Sequence, residues 1–138
     1  MQTVLQVLEY DRVLEKLAGH ANSILGAELC LAVRPMDDVP ALRASLAQTT
    51  ELRAILDFDQ AVPFSSFPDL RPVLKKLAVI GSSLSAESLV AVGQTCQLVR
   101  RLSRYFAGRE EKIPHLKALT AELLPLEKLE KEISRCID

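Results

Sequence analysis

The 138-residue sequence predicts an all-α fold, an irregular multi-helix bundle, and three features carry that prediction. Apolar residues recur at three- and four-residue steps along most of the chain. No stretch of useful length alternates with period two. Ser23, Asp38 and Ser85 stand where helix N-caps are needed. With 49% hydrophobic and 25% charged residues there is material for a core, and the length suits one helical domain over residues 1–138. Aromatics are 4% and tryptophan is absent, so that core is aliphatic and a base-stacking platform is disfavoured.

From Leu8 to Ala21 the positions Val13, Leu14, Leu17, Ala18 and Ala21 share a helical face, and Gly19 and Asn22-Ser23 then interrupt it. Ser23 opens a second helix carrying Ile24, Ala27, Leu31 and Ala32, and the Arg34-Pro35 step ends it because proline disfavours a helical residue before it. The two are expected to form a hairpin. Asp38 caps the next helix, with Pro40 tolerated in the first turn, and Leu42, Leu46, Thr49, Leu52 and Leu56 make one apolar stripe along it. Asp59 to Asp69, with Pro63, Pro68, Phe64 and Phe67 among serines, reads as an irregular connection whose phenylalanines need a surface to pack on. A short helix follows at about Leu70–Ala78.

Ser85 starts the clearest element. Leu84 and Leu89 are placed for a hydrophobic staple, and Glu87 suits the positive helix end. The stripe Leu89, Val92, Cys96, Val99, Leu102, Phe106 approaches a heptad seam, which makes this helix the predicted spine of the fold. Gly108 and Pro114 punctuate its end, and helices at about Pro114–Leu123 and Leu126–Cys136 complete the chain.

Composition also bears on compartment and partners. Cys30, Cys96 and Cys136 are odd in number and form no C-x-x-C pair, which suits a reduced, cytoplasmic setting. The longest apolar run, Leu29 to Val33, is far short of a membrane span, and no basic region followed by an apolar stretch marks a secretory signal. Net charge is −1, yet residues 1–60 carry five basic and nine acidic side chains against twelve and nine in residues 61–138. That asymmetry points to a basic face in the second half.

Site chemistry is sparse. There is no G-x-x-x-x-G-K-S/T loop, no G-x-G-x-x-G and no H-E-x-x-H, so neither a nucleotide nor zinc has a recognisable cradle, and no catalytic, cofactor-binding or metal-ligating residue is assigned. His20 and His115 fall near helix ends, where imidazoles commonly meet terminal carbonyls. Asp37-Asp38 and Glu110-Glu111 suit helix starts and loops, and Cys96 lies within the apolar stripe as a core residue. The candidate contact for an anion or nucleic acid is a stripe of Arg71, Lys75, Lys76, Arg100, Arg101 and Arg104, formed if the short helix packs beside the long one. A solvated helix face is the competing reading, and both stay open.

The stretch LEYDRVLEKLAGHANSILGAEL at residues 8–29 resembles the opening of MutS-two, the second bacterial MutS paralogue. That family has an L-E-F/Y-D-x-I/V-L helix, a small-residue break and an S-x-L-G-x-E-L helix. RPMDDVPALRASLAQTTELRAIL at 34–56 resembles its next segment, with Leu52 where alanine is usual. FPDLRPVLKKLAVIGSSLSAESL at 67–89 is similar to its D-I/L-R-x-x-L and G-x-x-L-x-x-x-E-L motifs, with Ser88 where glutamate is common. An ending like Glu132-Cys136-Ile137-Asp138 follows in order.

The resemblance implies the N-terminal part of a MutS-like core/lever region. Its place at Met1, rather than behind mismatch-recognition and connector domains, favours this paralogue over the mismatch-repair MutS. It further implies a parent that binds DNA and hydrolyses ATP with Mg²⁺, usually carries an Smr nuclease domain and forms a homodimer. Such a parent acts in recombination control or DNA repair and, in some members, on collided ribosomes. The partners implied are the remaining core, clamp and ATPase domains, with DNA or the ribosome reached through the parent. The rival is a free-standing helical adaptor that binds a partner helix. An enzyme is disfavoured by the missing site chemistry.

Overall fold

A computed structural model describes residues 2–59 and 61–137. Met1 and Asp138, the two ends singled out in the family comparison, lie outside the described residues, as does Gln60 in the connection. The described residues form helices and no strand: α1 (Gln2–Val7), α2 (Tyr10–Ala18), α3 (Ile24–Leu31), α4 (Val39–Phe58), α5 (Arg71–Leu77), α6 (Ala86–Phe106), α7 (Lys117–Ala121) and α8 (Glu127–Ile137).

The three predicted caps are in place. Ser23 Oγ accepts the Gly26 N–H at 3.0 Å, Asp38 Oδ1 accepts that of Ala41 at 3.3 Å, and Ser85 Oγ accepts that of Ser88 at 3.3 Å. The helix expected from Leu8 instead begins at Tyr10, because Glu9 adopts a left-handed conformation at φ 50°. This break separates α1 from α2 without any glycine or proline to announce it. A non-glycine residue there costs about 1 kcal/mol or more, and the Arg12 guanidinium, 2.9 Å from the Glu9 carboxylate, braces the turn. α7 is shorter than expected because residues 114–116 form turns before the helix starts.

α2 and α3 pack as the expected hairpin, with α1 against α2 and Leu14 buried between them. α8 lies antiparallel along α6: Arg104 faces Glu127, Arg100 faces Glu130, and Gly93 meets Ile133. Gly93 is what lets them approach, since a Cβ there would stand 3.3 Å from Ile133 Cγ2. The main core gathers Ile55 of α4, Leu98, Leu102 and Phe106 of α6, and Ile113, with Val62, Phe67, Tyr105, Leu116 and Leu123 around it. The Asp59–Asp69 connection thus does seat one of its phenylalanines, whereas Phe64 stays exposed.

Candidate interaction surface

Three polar clasps fix which helix faces point outward. On α4, Glu51 accepts the N–H groups of His115 and Leu116 at 3.0 and 2.9 Å and meets His115 Nδ1 at 2.6 Å, while Gln48 donates to the His115 carbonyl at 3.1 Å. Burial pushes the Glu51 carboxyl up, but those hydrogen bonds together hold it below its ordinary value. About two turns further on, Asp59 pairs with Lys112 at 3.0 Å and Arg109 at 3.4 Å, and Arg109 stacks over the Tyr105 ring. The third clasp ties α3 to α5: Arg71 grips Glu28 through both terminal nitrogens, at 2.7 and 2.8 Å, and also holds Asp69. Its guanidinium keeps both carboxylates below their ordinary range.

These clasps separate the six basic residues singled out in the sequence. Arg71 is committed to Glu28 and Asp69, Arg100 to Glu130 through two hydrogen bonds, and Arg104 to Glu127 at 3.5 Å. Lys75, Lys76 and Arg101 are exposed. α5 does not pack along α6, so the condition on which a continuous stripe depended is not met. The carboxylate partners were missed in the sequence, although one signal was there: arginines four apart on α6 match glutamates three apart on α8 in antiparallel order. Cys96 sits buried beside that ladder, and burial together with the Glu130 charge pushes its thiol up, as befits a core residue. Among the described residues no cluster of three His, Cys, Asp or Glu side chains is placed to hold a metal ion. Among the described residues no helix is long and apolar enough to cross a membrane.

The surface is large for the chain's mass and carries many exposed apolar side chains. The accessible surface is 10527 Å² for 15.2 kDa, where a folded monomer of that mass exposes about 7,100 Å². α4 shows the cause most clearly. The clasps turn Gln48, Glu51 and Ile55 inward, which leaves Leu42, Leu46 and Leu56 of the predicted stripe exposed together with Val39. Val4, Val7, Leu8 and Val13 on α1 and α2, Leu29 on α3 and Ile80 after α5 are likewise uncovered.

The fold and surface define the class: an all-α segment with helices braced by ion pairs and with many exposed apolar side chains. Sequence comparison places it further. The chain is 37% identical over 138 residues to "Endonuclease MutS2" of Geobacillus kaustophilus and 34% identical over 133 residues to that of Pelotomaculum thermopropionicum. It is 30% identical over 140 residues to "Putative endonuclease MutS2" of Bacillus subtilis. These alignments cover 96–99% of this chain but only 17–18% of each relative. The chain belongs to the MutS2 family and spans about a sixth of the length of those relatives. No protein-family model matches it.

Proposed function

We propose that residues 1–138 act as one non-catalytic helical unit, the N-terminal part of the core/lever region of a MutS2-type protein. In this reading the unit couples a DNA-embracing clamp to an ATPase through rigid helices, within a homodimeric parent that serves recombination control or DNA repair and, in some settings, ribosome rescue. ATP and Mg²⁺ are held elsewhere in the parent, whose setting is the cytoplasm. The observation that carries the reading is the alignment of nearly the whole chain to 17–18% of proteins named as endonucleases, joined to an accessible surface larger than that of a compact monomer of this mass and many exposed apolar side chains. A scaffold piece should look like this: braced inside, apolar outside.

Contact with a phosphate backbone falls to Lys75, Lys76 and Arg101, the exposed members of the six outside those ion pairs, while Arg71, Arg100 and Arg104 hold helices together. With a net charge of −1, affinity for DNA stays in the non-specific range of about 10⁻⁴ to 10⁻⁶ M at physiological salt. The test is calorimetric titration of the chain with ATP and Mg²⁺, beside salt-dependent binding of branched DNA. No saturable nucleotide heat and weak, salt-sensitive DNA binding are expected. Saturable ATP binding by these residues overturns the reading. The adaptor reading draws on the same uncovered α4 leucines, and a tight complex with an unrelated amphipathic helix would favour it.

A further inference from the structure

We propose that the N-terminal hairpin, α1 to α3, is a lobe that swings on residues 33–38, and that Arg71 is the latch holding it in one orientation against the rest of the chain. Such a latch works in the same way whatever the parent binds.

The hairpin takes no part in the main core. Its buried residue, Leu14, lies where α2 and α3 pack together, whereas every residue of the main core belongs to α4 or to chain beyond it. Among the described residues, none of α1, α2 and α3 packs along any of α4 to α8. The segment that joins the two parts, residues 33–38, has no regular structure and is exposed throughout. Six residues reach at most about 20 Å, so a released hairpin has play on the scale of a helix diameter, about 10 Å. Two packed parts joined by a few exposed loop residues have the architecture of a hinge.

One side chain closes that hinge. Among the described residues, the ion pair and the hydrogen bonds that cross between residues 2–32 and residues 39–137 all belong to Arg71, whose terminal nitrogens meet the Glu28 carboxylate at 2.7 and 2.8 Å. The other contacts of Arg71 fix it to the larger part. Its backbone N–H and Nε donate to Asp69 Oδ1 at 2.9 and 3.0 Å, Nη2 donates to Asp69 Oδ2 at 2.7 Å, and Phe67, four residues earlier, packs against the main core. Asp69 thus presents the guanidinium as a preset fork, and Glu28 is the partner that can leave. The exposures agree: the Glu28 side chain is 52% exposed, that of Asp69 only 19%. Water competes for a half-exposed pair, so the closed state is only modestly favoured. The two-pronged contact still sets one closed angle, and its release breaks no helix packing.

The experiment uses the full-length polypeptide, with spin labels on ketone-bearing residues introduced at the exposed positions Glu15 of α2 and Gln97 of α6, which leaves the native cysteines untouched. Labelled chain is diluted into unlabelled chain, and pulsed electron double resonance reads the distance within one molecule. Wild type should give a single distance. Glu28→Gln and Arg71→Gln, which cut the latch from opposite ends, should each add a second population displaced by about 5 Å or more, half a helix diameter. Arg53→Gln, which removes an exposed pair within α4, should leave the distance single. Far-UV circular dichroism, expected to be unchanged in all three variants, separates release from unfolding. A single, unshifted distance in both latch variants overturns the proposal, because other contacts then hold the hairpin. Two populations in the wild type overturn it as well, since Arg71 then latches nothing.

Discussion

Two isoleucines that look alike in the sequence should behave very differently. Ile113 and Ile80 each end a polar or mixed stretch just before a turn residue, Pro114 in one case and Gly81 in the other. In the structure Ile113 has no accessible surface, packed among Ile55, Leu98, Leu102 and Phe106, whereas Ile80 is fully exposed. Ile113→Ala removes three carbons, which at about 0.8 kcal/mol each is about 2.4 kcal/mol of transfer free energy. The cavity left among those four neighbours raises the cost to about 3–4 kcal/mol, within the range measured for such truncations. Ile80→Ala leaves no cavity and should stay within about 0.5 kcal/mol. A typical domain has roughly 5–15 kcal/mol in all, and so small a core makes the Ile113 loss severe. Urea unfolding followed by far-UV circular dichroism reads the difference: the Ile113→Ala midpoint should fall by more than about 1 M at unchanged m-value. Coincident midpoints for the two variants would refute the assignment of Ile113 to the core centre.

The Glu51 clasp gives a pH signature. Because its folded carboxyl lies below the ordinary value, the stabilisation is complete above about pH 4.5 and is lost as pH falls through the lowered folded value. Wild type should therefore exceed Glu51→Gln in stability at pH 6, and the gap should shrink as the pH is taken below about 4.5; a gap that does not change with acidification would mean the carboxylate is not what holds residues 115 and 116. Ser85→Ala removes the cap at the start of α6 and should cost about 1 kcal/mol in the same urea assay, a cost that Ser83→Ala, two residues outside the helix, should not share.

How much of this was legible in the sequence depends on whether a stripe is covered by this chain. On α6 half of the predicted seam is buried, Cys96, Leu102 and Phe106, with Leu89, Val92 and Val99 half-buried; Leu98 joins Leu102 and Phe106 in the main core, and Gly93 is explained only by its approach to Ile133. The caps were legible because a short polar side chain before an apolar run has one local use. The Glu9 break was not, since a left-handed glutamate leaves no mark in composition. Nor were the clasps. Glu51 with His115, Asp59 with Arg109 and Glu28 with Arg71 join residues 43 to 64 positions apart, and nothing local encodes such a meeting.

α4 shows why the sequence-read stripe and the buried face can differ without either being in error. Its leucine periodicity is as regular as that of α6, yet the face that packs carries Gln48, Glu51 and Ile55, and the leucines look outward. Hydrophobic periodicity records which residues share a helix face, and it does not by itself say which face the rest of the chain packs against. An inward face on which Gln48 and Glu51 find hydrogen-bond partners, set against exposed Leu46 and Leu56 on the other side, fixes the orientation of α4 from within. Reversing the helix would strand the Glu51 carboxylate and the His115 and Leu116 N–H groups together, each costing about 1–3 kcal/mol if buried without a partner. The outward leucines are therefore set by the clasps on the opposite face.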